Sequence, residues 1–137
     1  MPAVFRVAGA LVAAVLAALA LVIAVELFSA AVHPLPADFR NTQEEMCQHV
    51  ERYPNWVLAV VVPAWAGTAL VSTWIAGRLG NRVAAYIIGF LLIAAVVFNL
   101  AMLPYAVWFK IATLIAIPCG VLGGIYWSRR PAVGGSA

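Results

Sequence analysis

Glu26 sits inside an apolar run that extends from residue 7 to residue 32, about seven residues before the run ends. At 1.5 Å of rise per residue, a helix places this carboxyl roughly 10 Å below the nearer boundary of a bilayer. An ionisable group in a membrane helix costs ~2.5–3.5 kcal/mol on insertion scales, so it should face the bundle or a wet cavity. Ser29 and His33 follow at i+3 and i+7, on the same helix face, which makes a polar ladder toward the outer surface. Asn99 lies about five residues below Pro104, and Thr113 about five residues below Trp108. Both are therefore expected within a turn or so of Glu26's depth. An amide and a hydroxyl can each hydrogen-bond a carboxyl group, so Glu26, Asn99 and Thr113 are expected to cluster between helices. Two chemistries fit. One is a proton or cation site, or a pocket for a lipid or small polar ligand. The other is interhelical hydrogen bonding worth ~0.6–2 kcal/mol per contact, and this blander reading is favoured.

The remaining polar candidates are thinner. His33, Cys47 and His49 invite a metal reading, helped by Glu44 or Glu45. Cys47 and His49 are two apart, however, and do not share a helix face. No zinc-type C-x-x-C pair occurs. A solvated surface helix is the expected reading, with no metal and no cofactor. Cys119 falls about eleven residues into the last apolar run, whereas Cys47 belongs to the loop, and Cα atoms beyond ~7 Å cannot be bridged. No P-loop, G-x-G-x-x-G or H-E-x-x-H motif is present, and a single acid within the apolar runs leaves no catalytic set. The chain is expected not to be an enzyme. Gly120 and Gly124 form a G-x-x-x-G step that allows close helix approach. They serve either packing within one chain or an oligomer interface. Trp65 and Gly67 are expected at helix contacts as well.

The elements that position these residues follow from composition. The chain of 137 residues is 66% hydrophobic and 9% charged, with a mean hydropathy of +1.03. Soluble domains carry about a quarter charged residues. Stretches 7–25, 53–77, 83–109 and 111–128 hold no charge. Since ~20 apolar residues span a bilayer and backbone groups in lipid must be paired internally, the expectation is an all-α membrane protein. Its fold is an antiparallel four-helix transmembrane bundle in one domain, residues 1–130. The spans run from about 6–32, 55–77, 83–103 and 108–128, with an outer loop at 33–54 and a disordered tail at 131–137. The first run is longer than the 7–15 residues of a signal-peptide core, so it reads as a span. Arg6, Arg78, Arg82, Arg129 and Arg130 fall on one side, against Arg40, Arg52 and Lys110 on the other. The positive-inside rule then puts both termini in the cytoplasm. Tyr53, Trp56, Tyr105 and Trp108 belong to the outer aromatic belt, and Phe5, Trp74, Tyr86, Tyr126 and Trp127 to the inner one. Basic residues stand singly or in pairs, with no run to track a phosphate backbone, so nucleic acid is excluded as a partner. The partners expected are the lipid bilayer and a homo-oligomer or larger membrane complex.

In the outer loop, His33-Pro34-Leu35-Pro36 ends the first span, because proline cannot continue a helix. Thr42 and Glu45 have capping-box spacing, which predicts a short extracytoplasmic helix ending before Tyr53-Pro54.

These residues resemble a group of small, uncharacterised four-span bacterial inner-membrane proteins. The resemblance covers most of the chain from Glu26 to Gly124. It rests on Val25-Glu26, His33-Pro34 and Pro36, on Ala64-Trp65 with Gly67, and on Asn99-Leu100 leading to Pro104, Trp108-Phe109, Pro118 and Gly123-Gly124. Where that group often reads His-Pro after the first proline, this chain has Tyr105-Ala106, so no histidine role carries over. The resemblance implies the four-span fold and draws interest to Glu26 and Asn99, without implying an activity. The functional expectation is a non-enzymatic accessory or scaffold protein that self-associates around a buried polar cluster at Glu26. The alternative is a small proton-coupled transporter or ion-conducting oligomer that uses Glu26.

Overall fold

A computed structural model describes residues 2–129, and the tail expected from residue 131 onward lies outside them. The described chain is helical. It runs α1 (Ala3–Val32), α2 (Gln43–Glu51), α3 (Asn55–Ile75) with a π-helical turn over Ala76–Gly80, α4 (Arg82–Met102) and α5 (Val107–Ser128). Four of these helices are long and apolar enough to cross a membrane, the π turn extending α3 to Gly80. The protein is a multi-pass membrane protein.

Each boundary has a local cause. His33 caps α1, its amide bonding the Ser29 carbonyl at 2.8 Å, ahead of Pro34. Leu103 is extended (φ −119°, ψ 143°), as the residue before a proline prefers, and α4 stops there. α2 begins at a complete capping box. The Glu45 amide donates to Thr42 Oγ1 at 3.2 Å, and the Thr42 amide donates to the Glu45 carboxylate at 3.5 Å. Asn81 caps α4 by accepting from the Ala84 amide at 2.9 Å.

Between apolar helices in lipid, association depends on close packing rather than on water exclusion. The tightest pair is α3 with α5. A Cβ placed on Gly120 would meet the Ala66 carbonyl, and one on Gly124 would meet Thr73 Oγ1 and the Leu70 carbonyl. The G-x-x-x-G step is therefore consumed within the chain. Gly67 differs, because nothing lies within 4 Å of its would-be Cβ. It lines an apolar groove with Leu21, Val25 and Val71. Two apolar clusters result. One joins Ala14, Ala84, Ala85, Ile88, Ile117 and Val121, and the other joins Val57, Leu58, Val61, Leu100 and Phe109. Trp65 packs against both, its ring edge-on to Phe109 at 5.7 Å.

α1 is the least covered span, with 17% of its apolar window buried against 28–39% in the others. Ala10, Ala14 and Ala18 are buried, and Ala10 lies against Gly80 of the π turn. Between Leu19 and Phe28 no residue of α1 is buried. The second half of α1 touches the bundle along one face, where Val25, Phe28 and Val32 pack on the second cluster and Ser29 is buried, and leaves its other face exposed.

Candidate functional site

A crevice runs beside the second half of α1, and Glu26 lies in it. Two cavities meet there. The deeper one, ≈ 180 Å³, lies among α1, α3, α4 and α5 and is mostly apolar, with Val22, Leu92, Val96 and Ile117 in its wall. The shallower one, ≈ 310 Å³, lies beneath α2 and is lined by Ser29, His49, Tyr53 and Tyr105 among others. Glu26, Trp65 and Asn99 line both. Val22 and Glu26 of α1 and Ala95 of α4 are exposed, so the deeper cavity has its rim on the outside of the bundle. No hydrogen bond or ion pair to Glu26 is found among the described residues. Among the described residues, no lysine or arginine lines either cavity.

Asn99 is half-buried, and its Oδ1 is sealed from solvent without a hydrogen-bond partner among the described residues. Its backbone carbonyl accepts from Leu103 at 3.2 Å to close the end of α4. The amide is therefore held at the cavity wall by the last turn of the helix. Thr113 is placed elsewhere. It is fully buried on α5, and its Oγ1 also lacks a partner. It lines a separate ≈ 40 Å³ void with Ile93, Val97 and Pro118. The expected trio thus has Glu26 and Asn99 around one crevice and Thr113 outside it.

His33 joins the site from above. Its Nε2 donates to the His49 carbonyl at 3.2 Å. The two imidazole rings stack at 4.3 Å, and the His33 ring lies 4.6 Å from that of Tyr53. At the other end of α2, Gln43 donates to the Met102 carbonyl at 3.4 Å. α2 is therefore pinned at one end to the close of α1 and at the other to the close of α4, which makes it a roof over the crevice. No group of three or more His, Cys, Asp or Glu side chains suited to a metal ion occurs among the described residues. Above the roof, His33, His49, Asp38, Glu45 and Arg52 border a polar pocket of ≈ 380 Å³. His49 lines both this pocket and the shallower cavity.

Electrostatics follow from burial. Desolvation, then the nearby His33 and Arg52, lower the His49 pKa below 6.5, so its imidazole stays neutral at physiological pH. Desolvation, then the Glu26 charge, push the Tyr105 phenol far above its ordinary range. Tyr53 moves the same way for the same two reasons, against a hydrogen bond with Ser29 that works in the opposite direction. Both phenols keep their protons and line the crevice as neutral groups. Sequence reading assigned Tyr53 and Tyr105 to the outer aromatic belt. Their position beside Pro54 and Pro104 was the available signal that the chain turns inward there.

No known protein family, curated protein or solved structure matches this chain.

Proposed function

We propose that this chain is a small, non-enzymatic transporter or ion-conducting protein of a bacterial inner membrane, with Glu26 as the working group. One observation carries the reading. An acid inside a span is left without an intramolecular partner at the junction of two cavities, one leading toward the roof helix and the other toward the bilayer. Structural glue would be expected to make interhelical hydrogen bonds. The reading includes an antiparallel order of the four spans, with α2 outside and both termini in the cytoplasm. Support comes from five basic residues against three on the two sides. It also comes from contacts at the ends, where Trp108 at the start of α5 donates to Asn55 at the start of α3 at 3.3 Å. Arg129 after α5 donates to Tyr86 near the start of α4 at 3.1 Å.

The test is proton flux in proteoliposomes under an imposed potential. Wild type is expected to conduct and Glu26→Gln to lose the flux while keeping its helical content. No flux in either protein removes proton movement from the reading.

A second reading, a self-associating accessory protein, is favoured by the exposure of Glu26 on the flank of a single chain. A second copy against α1 and α4 would cover it. Native mass spectrometry that finds only monomer, in a detergent gentle enough to preserve oligomers, removes this reading.

A further inference from the structure

The two cavities differ in chemistry in a way that specifies a ligand. The shallower one is lined by three aromatic residues, Tyr53, Trp65 and Tyr105, together with Glu26. Tyr105 is further braced by Phe109, ring centroids 4.8 Å apart, and all three rings pack on one apolar cluster. Aromatic faces carry negative quadrupole charge and hold cations, ammonium groups above all. A carboxylate beside them supplies the opposite charge, and Asn99 Oδ1 adds an acceptor without a partner. Among the described residues, no lysine or arginine borders the space, so a guest cation meets no fixed like charge from them. The deeper cavity continues from Glu26, Trp65 and Asn99 into an aliphatic wall whose rim reaches the flank of the bundle. A polar, cation-favouring head region thus adjoins an oily tail region, and the opening faces the layer where amphiphiles reside.

We propose that the crevice binds an amphiphile bearing an ammonium group. The ammonium sits against Glu26 within the Tyr53, Trp65 and Tyr105 rings, and the alkyl chain lies against Val22, Leu92, Val96 and Ile117. This names the substrate class for the transport reading and rests on the same site, but binding does not require that transport occur. Two sources supply this chemistry, the headgroup of an ammonium-bearing phospholipid and a free hydrophobic amine. Recognition is the same for both.

The experiment uses the full chain purified in an uncharged maltoside detergent, with octyltrimethylammonium as the titrant in calorimetry. Wild type is expected to bind saturably. Glu26→Gln is expected to bind at least tenfold more weakly, and octanol not to compete. Tyr105→Leu should weaken binding several-fold, whereas Tyr105→Phe, which keeps the ring, should bind as wild type does. The Phe variant guards against misreading a folding defect as a lost contact. Native mass spectrometry separates the sources. Phosphatidylethanolamine that copurifies and is displaced by the titrant identifies the lipid headgroup. Tight titrant binding with no retained phosphatidylethanolamine identifies a free amine. Absence of saturable binding to wild type, or equal binding by Glu26→Gln, overturns the proposal. Saturable binding together with absent proton flux removes proton movement from the transport reading and leaves the site standing.

Discussion

Replacing Gly120 with alanine adds one methyl group at the tightest point of the α3–α5 interface. The new Cβ would run into the Ala66 carbonyl oxygen, 3.1 Å from its carbon and 3.3 Å from Ala66 Cα. These are backbone atoms of a packed helix, so no side chain can rotate away, and the two helices must separate locally. Overpacking of this kind costs ~1–3 kcal/mol, or roughly a five-fold to hundred-fold fall in the folding equilibrium. The cost should fall at the low end only if α5 can slide along α3. Gly124→Ala meets the Leu70 carbonyl, Thr73 Oγ1 and, at 3.0 Å, the Trp74 nitrogen, and should cost a similar amount. Gly67→Ala meets nothing within 4 Å and should cost nothing, since alanine is the better helix former. The assay is unfolding of the purified protein in mixed micelles as sodium dodecyl sulfate is titrated in, followed by circular dichroism. Gly120→Ala as stable as wild type would refute the packing argument. So would a Gly120→Ala protein that changed oligomeric state with no loss of stability, because it would move the glycine step to an intermolecular interface.

Thr113→Val should leave stability unchanged or raise it by up to about 1 kcal/mol in the same titration, because it replaces a buried hydroxyl that lacks a partner with a methyl of similar size. It should also leave ammonium binding unaltered, as Thr113 lines a different void from Glu26; a loss of binding would place Thr113 in the site after all. The roof helix should loosen in acid. Burial, His33 and Arg52 hold the His49 pKa below its ordinary 6.5, so the undocked state binds more protons once pH falls below about 6.5, and docking weakens progressively down to the folded pKa. Above 6.5 this penalty is absent. The titratable and charged neighbours that share this environment are His33, Tyr53, Arg52 and, around the polar pocket, Asp38 and Glu45. Amide hydrogen exchange over residues 43–51 should therefore accelerate between neutral and mildly acidic pH beyond the intrinsic trend, and His49→Gln should flatten the response. An identical pH dependence in the variant would place the switch elsewhere.

Much of the architecture was legible in the sequence, because the constraints that set it are local. Hydrocarbon requires every backbone group to be bonded within its own segment, so four uncharged runs located four helices to within a few residues at each end. Pro34 and Pro104 marked the closes of α1 and α4, and the Thr42–Glu45 spacing marked the start of α2. Rise per residue placed Glu26 and Asn99 at a common level, and both line the same cavities. What depth could not supply was direction around the helix axis. Thr113 was expected near that level as well, but α5 turns it into a void beside Pro118 rather than toward Glu26. The π turn over Ala76–Gly80 left no recognisable mark in the sequence. The partner of the G-x-x-x-G step was likewise open in the sequence, and tertiary packing gave it to the backbone of α3. Only tertiary structure could open a crevice beside the second half of α1 and gather His33, His49, Tyr53 and Tyr105 around it. A span's own residues state that it crosses the membrane and how deep each side chain lies. Which side chains meet depends on how each helix is rotated and tilted, and that is set by the small residues of its neighbours.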